Sequence, residues 1–253
     1  MMHDPWFNLR DFTQARIAQG RVGSGIPSQA LLDFQIAHAA ARDAVHQAWD
    51  MDDFARQVKS LNLHPLCLRT SVNNRVEYLQ RPDKGRCLHA ESRQVLLASA
   101  HPEVDVLLIF SNGLSSTAIH SHGFALLKAI YTVFQESAFS LGPICLLPDA
   151  RVAVADEIGA LLNARLTIMI IGERPGLSAA DSLGAYLTLK PRVGNTDAER
   201  NCLSNIRPPE GLSYTLAASK LCYLANAALQ CGYSGVALKD GMHIPIMHSF
   251  TLE

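Results

Sequence analysis

This sequence lacks the cysteine pairs and the one-sided charge that would assign a chain quickly. Its six cysteines, Cys67, Cys87, Cys145, Cys202, Cys222 and Cys231, include no CxxC pair. That removes the usual zinc and dithiol patterns and reads as reduced thiols in a cytoplasm. No stretch approaches the ~18 uninterrupted apolar residues of a membrane helix, and the opening MMHDPWFNLRDF has no apolar core of a secretory signal. A soluble, unexported protein is expected. The formal net charge is -1, so there is no electrostatic reason to seek nucleic acid or anionic lipid. Phosphate-cradling and nucleophile motifs are missing as well: there is no GxGxxG, no GK[ST] after Gly176, and no GxSxG around Ser115.

What is there is ordinary globular material. With 253 residues, 48% of them hydrophobic, the chain can bury roughly 70–75% of its unfolded surface and needs no disulfide to fold. Leu31, Phe34, His38, Ala41 and Val45 recur at gaps of three and four, which predicts an amphipathic helix over Ser28 to Ala48, capped by Ser28. His38 lies on its apolar stripe as a core or interface histidine. Between Asp50 and Ala90 the pattern is irregular, with RTSVNN and RPDKGR reading as turns around short strands. Residues 1–95 therefore read as a smaller α-rich unit.

The rhythm changes after about residue 95. VDVLLIF (Val104 to Phe110), GPICLLP (Gly142 to Pro148), ARLTIMIIG (Ala164 to Gly172) and SGVALK (Ser234 to Lys239) read as buried strands. Helical spacing appears between them over Ser115 to Gln135, Val152 to Asn163 and Leu212 to Leu229. Such alternation predicts an α/β fold over residues 96–253, a parallel sheet covered by helices on both faces.

Ligands of open parallel sheets collect at the carboxyl ends of the strands. Two loops fall there, Ser111-Asn112-Gly113-Leu114-Ser115 and Gly172-Glu173-Arg174-Pro175-Gly176, the second followed by residues that look like a helix start. Pro175 removes an amide donor and weakens a phosphate nest. A carboxylate at Glu173 suits hydroxyl or amide donors of a ligand, or else pairs with an arginine. Gly172 and Gly176 would let backbone approach a bulky group. No general acid, base or nucleophile constellation emerges, so catalytic residues are expected to be absent. No metal site is expected either. His120 and His122 diverge by about 200° on a regular helix, and His243 and His248 read as tail histidines.

Five ordered blocks carry a resemblance: ARIAQGRVGSGIPSQALLDFQIAHAAARDAVH, RPDKGRCL, NGLSSTA, GERPGLSAADSLGAYL and ERNCLSNIRPPEG. In this order they resemble the ethanolamine ammonia-lyase light chain, from about residue 9 to residue 240. The resemblance implies the small subunit of a two-chain adenosylcobalamin enzyme converting ethanolamine to acetaldehyde and ammonia. A large (heavy) chain would hold the substrate and the radical chemistry, and a Rossmann-like domain of this chain would cover the cofactor. Carried over by motif, the cofactor-contacting positions are Val152 in RVAVADEIG, Glu173 in GERPG and Cys202 in NCLSN, with Cys202 acting by packing, by backbone or by its thiol. No histidine here has an aspartate two residues before it, which agrees with a family that does not supply an axial histidine through DxHxxG. Asn112 stands where the family usually has Asp. The segment after Ile206 is shortened, and the long polar N-terminal extension of microcompartment-packaged relatives is not seen. Any such association would run through the large chain. Two other readings stay open at this point: a free-standing Rossmann-like enzyme with a nucleotide cofactor, and an assembly subunit without cofactor contact, attached through the His38 helix.

Overall fold

The computed structural model describes residues 4–98 and 102–242. A 3-10 turn over Phe7–Phe12 precedes α1 (Ser28–His46), α2 (Met51–Ser60), β1 (Pro65–Cys67), α3 (Arg75–Gln80) and α4 (Ala90–Leu97). Strands and helices then alternate: β2 (Val104–Ser111), α5 (Ser116–Ala118), a π-helical segment Ile119–Gly123, α6 (Phe124–Gln135), β3 (Ile144–Leu146) and α7 (Val154–Leu161). The chain continues through β4 (Ala164–Gly172), β5 (Leu183–Leu189), β6 (Arg200–Ile206) and α8 (Tyr214–Cys231).

The strands form one sheet in the order β1-β3-β2-β4-β5-β6. β1, β3, β2 and β4 are parallel neighbours, while β5 is antiparallel to both β4 and β6. The α/β class expected from the sequence is therefore the one that forms. β2 is buried from Val106 to Ser111, which is why its residues do not alternate in polarity: a strand packed on both faces has no solvent side.

The two faces differ in cover, and this difference positions the site. Phe110, Leu108, Ile170, Ala185 and Ile206 point into a core shared with Leu126 and Ile130 of α6 and Leu221 and Leu224 of α8. This side is covered as far as β6. On the other face Leu107, Ile109, Met169 and Ile171 pack against Val154, Ala155 and Ile158 of α7 and Leu96 of α4. That cover stops short, leaving Cys202 and Ser204 exposed on β6. The expected helical cover of both faces is thus incomplete over β6, with Tyr186 of β5 half-buried beside it.

Several local expectations are corrected. Ser234 to Lys239 is not a strand. Gly235 takes a positive φ of 79° within a 3-10 turn, and its amide donates to Asn201 Oδ1 at 2.7 Å, so the segment closes against β6 by a turn. The residues after Gly176 do not start a helix; Glu173 to Ser182 is a connection, and LGAYLTL forms β5 antiparallel to β4. RVEYLQ, read among turns, is the helix α3, capped by the Asn74 side chain accepting from the Glu77 amide at 3.0 Å. Pro27 rather than Ser28 occupies the cap of α1, without a side-chain cap bond. Ala44 is the buried residue of α1. His38 is exposed and stacks on Phe34 at 6.1 Å, which removes its core reading. His243 and His248 lie outside the described residues. No described helix is long and apolar enough to cross a membrane.

Candidate functional site

Consecutive connections leave β2 and β3 for opposite faces of the sheet, α6 on one side and α7 on the other. The carboxyl ends beside such a crossover are where open α/β sheets make a crevice. The loop after β3 supplies Arg151 and Val152, the loop after β4 supplies Glu173 and Arg174, and the open face of β5 and β6 adds Tyr186, Cys202 and Ser204. These residues line two adjoining hollows of about 460 and 550 Å³ that share Arg151, Val152 and Tyr186. Val152, Glu173 and Cys202, far apart in sequence, thus face one continuous groove.

Glu173 sits at the joint between β4, β5 and β6. Its carboxylate accepts from Ser182 Oγ at 2.7 Å, Ser204 Oγ at 2.6 Å and the Asn205 amide at 3.1 Å. No arginine pairs with it among the described residues, so the arginine-paired reading does not hold. The carboxylate braces the connection after β4 onto the end of β6 and keeps part of its acceptor capacity for the groove. Gly184 opposite provides the room, since a Cβ there would come within 3.0 Å of Glu173 Oε1.

The glycines of this loop serve packing. A Cβ on Gly172 would collide with the carbonyl oxygens of Ser115 and Asn112, so Gly172 lets the loops after β2 and β4 close on each other. Gly176 has only ordinary contact distance, 3.7 Å, to Ala179 O. Gly172 also lines the hollow, whereas Gly176 does not. Asn112 is buried beneath these loops. Its Oδ1 accepts from the Asp149 amide at 2.7 Å while its Nδ2 donates to Ser116 Oγ at 3.1 Å and Asp149 Oδ1 at 3.3 Å. The amide NH2 is what tolerates the Asp149 carboxylate at that place.

Cys202 lies across from Tyr186 in the β5–β6 register. Partial burial pushes its thiol above the ordinary range, Tyr186 as a hydrogen-bond partner pulls it down, and the Glu173 carboxylate pushes it up again. A thiol so placed stays protonated at neutral pH and is a poor nucleophile. Tyr186 is itself pushed up, first by burial and then by Cys202 and Glu173. Neither Cys202 nor Tyr186 is therefore poised as an activated base or nucleophile. One buried pair fixes its width. Arg200 and Asp156, each with a side chain only 2% exposed, are joined by two bonds of 2.7 Å, tying the first turn of α7 to β6.

Sequence reading missed Arg151, Tyr78 and Tyr186. Tyr78 is fully buried, donates to Ala150 O at 3.0 Å, and is pushed up to about 12, chiefly by burial. Arg151 lies over its ring at 4.4 Å and Arg75 at 4.9 Å. Only the adjacency of Arg151 to Val152 pointed toward this cluster. The two histidines go separate ways. His120 Nε2 meets Ala48 O at 3.2 Å, and His122 is held between Tyr214 Oη at 2.7 Å and Asp181 Oδ2 at 3.1 Å. Their segment is a π-helical turn, so the regular-helix angle does not apply to it.

Comparison with known proteins comes to the same place as the five sequence blocks. The model of the ethanolamine ammonia-lyase light chain family matches residues 3–239. A protein of Ralstonia nicotianae named ethanolamine ammonia-lyase small subunit is 47% identical over 249 residues, covering 97% of this chain and 92% of its own. Proteins of the same name from Pseudomonas fluorescens (SBW25) and Pseudomonas putida (F1) are 48% identical over 249 residues and 50% identical over 240. They cover 97% and 94% of this chain, and 90% and 88% of their own lengths. With a match this long on both sides, the chain belongs to the ethanolamine ammonia-lyase light chain family.

Proposed function

We propose that the groove binds adenosylcobalamin, and that this chain works as the cofactor-covering, non-catalytic subunit of a two-chain ethanolamine ammonia-lyase. The observation that carries this reading is the convergence of Val152, Glu173 and Cys202 on one open groove that also holds an unpartnered buried donor, Arg151 Nε. The fit to such a cofactor is chemical. Corrin side-chain amides need a hydrogen-bond acceptor, which Glu173 supplies, and the corrin edge needs an apolar wall, which Val152 supplies. A groove open along Cys202 and Ser204 suits a large ligand covered from its other side by another chain.

When bound, adenosylcobalamin supplies the radical chemistry of the reaction; the chain itself binds and orients. Its groove residues are suited to that task and to no proton transfer, given a protonated Cys202 and a Glu173 already engaged by two serines. The partner is a large catalytic subunit. Its contact includes α1, whose Leu31, Leu32, Phe34 and Ile36 are 44%, 52%, 41% and 69% exposed. Large apolar side chains left in water along one helix mark a surface awaiting a partner. Free cysteines throughout the described residues suit a cytoplasmic setting.

Reconstitution tests the division of labour. The chain alone is expected to deaminate no ethanolamine, and to restore activity when titrated into its large subunit with adenosylcobalamin. In the same titration, Leu31→Asp with Phe34→Asp is expected to shift the half-saturation point upward. Turnover by the isolated chain would overturn the assignment of roles, and an unshifted titration would misplace the contact.

A further inference from the structure

The groove has a cationic side that its own residues leave unneutralised. Arg86, Arg151 and Arg174 all line it, and among the described residues none of the three has a carboxylate partner. The more buried arginines of the sheet edge are paired, Arg75 with Asp149, Arg200 with Asp156 and Arg207 with Asp181. The carboxylates along the same groove bond elsewhere and reach none of the three, Glu173 meeting two serine hydroxyls and Asp197 meeting Arg200.

Arg151 is the sharpest case. Its Nε is buried without a hydrogen-bond partner, although a buried donor left unmade is costly in a folded protein. The side chain is nonetheless held in place. Its amide donates to Gly85 O at 2.8 Å, its guanidinium lies on the Tyr78 ring at 4.4 Å, and its stem passes so near Gly85 that a Cβ there would come within 3.1 Å of Arg151 Cγ. Arg75 fixes the other contact of Tyr78. Its guanidinium lies 4.9 Å from the same ring and bonds Val45 O, Gly113 O and Asp149 Oδ1. A cation preset in this way, with a free fork of donors toward a groove, is built for an oxyanion.

We infer that Arg151 is the anchor for the phosphodiester of bound cobalamin, with Tyr78 and Arg75 as positioning residues. This rests on the cobalamin reading of the groove and assigns one part of the ligand to one side chain. The neutral amides of the corrin rim would leave Arg151 without an anionic partner, whereas the phosphodiester brings the negative charge it lacks.

The test is a binding titration of the full chain, alone and assembled with its large subunit, followed by corrinoid absorbance and not by activity. Cyanocobalamin is compared with dicyanocobinamide, a corrin without the phosphate and nucleotide. Arg151→Ala is expected to weaken cyanocobalamin binding about tenfold or more while leaving dicyanocobinamide binding unchanged, and Arg151→Lys, which keeps the charge and the packing stem, to recover part of the loss. Equal losses for both corrinoids, or no loss for either, would overturn the phosphate assignment while the cobalamin reading stands. Failure of the wild-type chain and of the assembled enzyme to bind either corrinoid overturns both.

Discussion

Glu173 braces its loop and, on the proposed reading, also meets the cofactor, and one substitution read in two ways tests both. Because it accepts from Ser182, Ser204 and the Asn205 amide, Glu173→Ala strands three donors at once. The expected loss of stability is about 1–3 kcal/mol, toward the lower end because water reaches this edge and partly replaces the acceptor. Cobalamin affinity of the assembled enzyme is expected to fall by roughly tenfold as well. Thermal melting and a cofactor titration read the two effects independently. Lost stability with unchanged affinity would leave Glu173 as a brace only. Glu173 was legible in the sequence because it follows a branched apolar run at a strand end. Arg151 was not, since a lone arginine in a loop reads as solvated until Tyr78, seventy-odd positions away, is seen beneath it.

At the scale of elements, the connection from Glu173 to Ser182 is latched at its far end by Asp181. Desolvation raises this carboxyl, but bonds from Arg207 at 2.9 Å and His122 at 3.1 Å outweigh it and hold the group below the ordinary aspartate range. A carboxylate depressed on folding contributes stability above its unfolded value, and that contribution fades as pH falls toward the folded value. Amide hydrogen exchange over Ala180 to Leu183 is therefore expected to quicken, relative to the core strand β2, as pH drops below the ordinary aspartate value. Asp181→Asn should show fast exchange already at neutral pH. Equal protection of wild type and Asp181→Asn across that range would remove the latch. The elements themselves were unevenly legible. β2, β3 and β4 showed as apolar runs because both their faces are covered. β6 escaped because one face stays open, so Cys202 and Ser204 interrupt the apolar pattern that would mark a buried strand; β5, buried except at Tyr186, was hidden behind the SAADS stretch that reads as a helix start. The turn at Gly235 imitated a strand by composition alone; its positive φ is a backbone property that SGVALK does not announce.

For the molecule as a whole, an incomplete cover is what the proposed function rests on. α6 and α8 close one face of the sheet out to β6, while α7 stops short on the other, and the uncovered strip beside the strand ends is the groove. On the proposed reading, the exposed apolar side chains of α1 and this open groove are both surfaces that a partner completes, in a chain that binds and positions while another reacts. Cys202 offers the most direct measurement of this claim, because its exposed thiol lies within the groove whereas Cys67 and Cys231, also exposed, lie outside it. The assembled enzyme is labelled with a maleimide with and without saturating cobalamin, and modification is counted at each cysteine by mass spectrometry. The account predicts that cobalamin slows labelling of Cys202 while Cys67 and Cys231 react at unchanged rates; labelling of Cys202 at the same rate with and without cobalamin would contradict it.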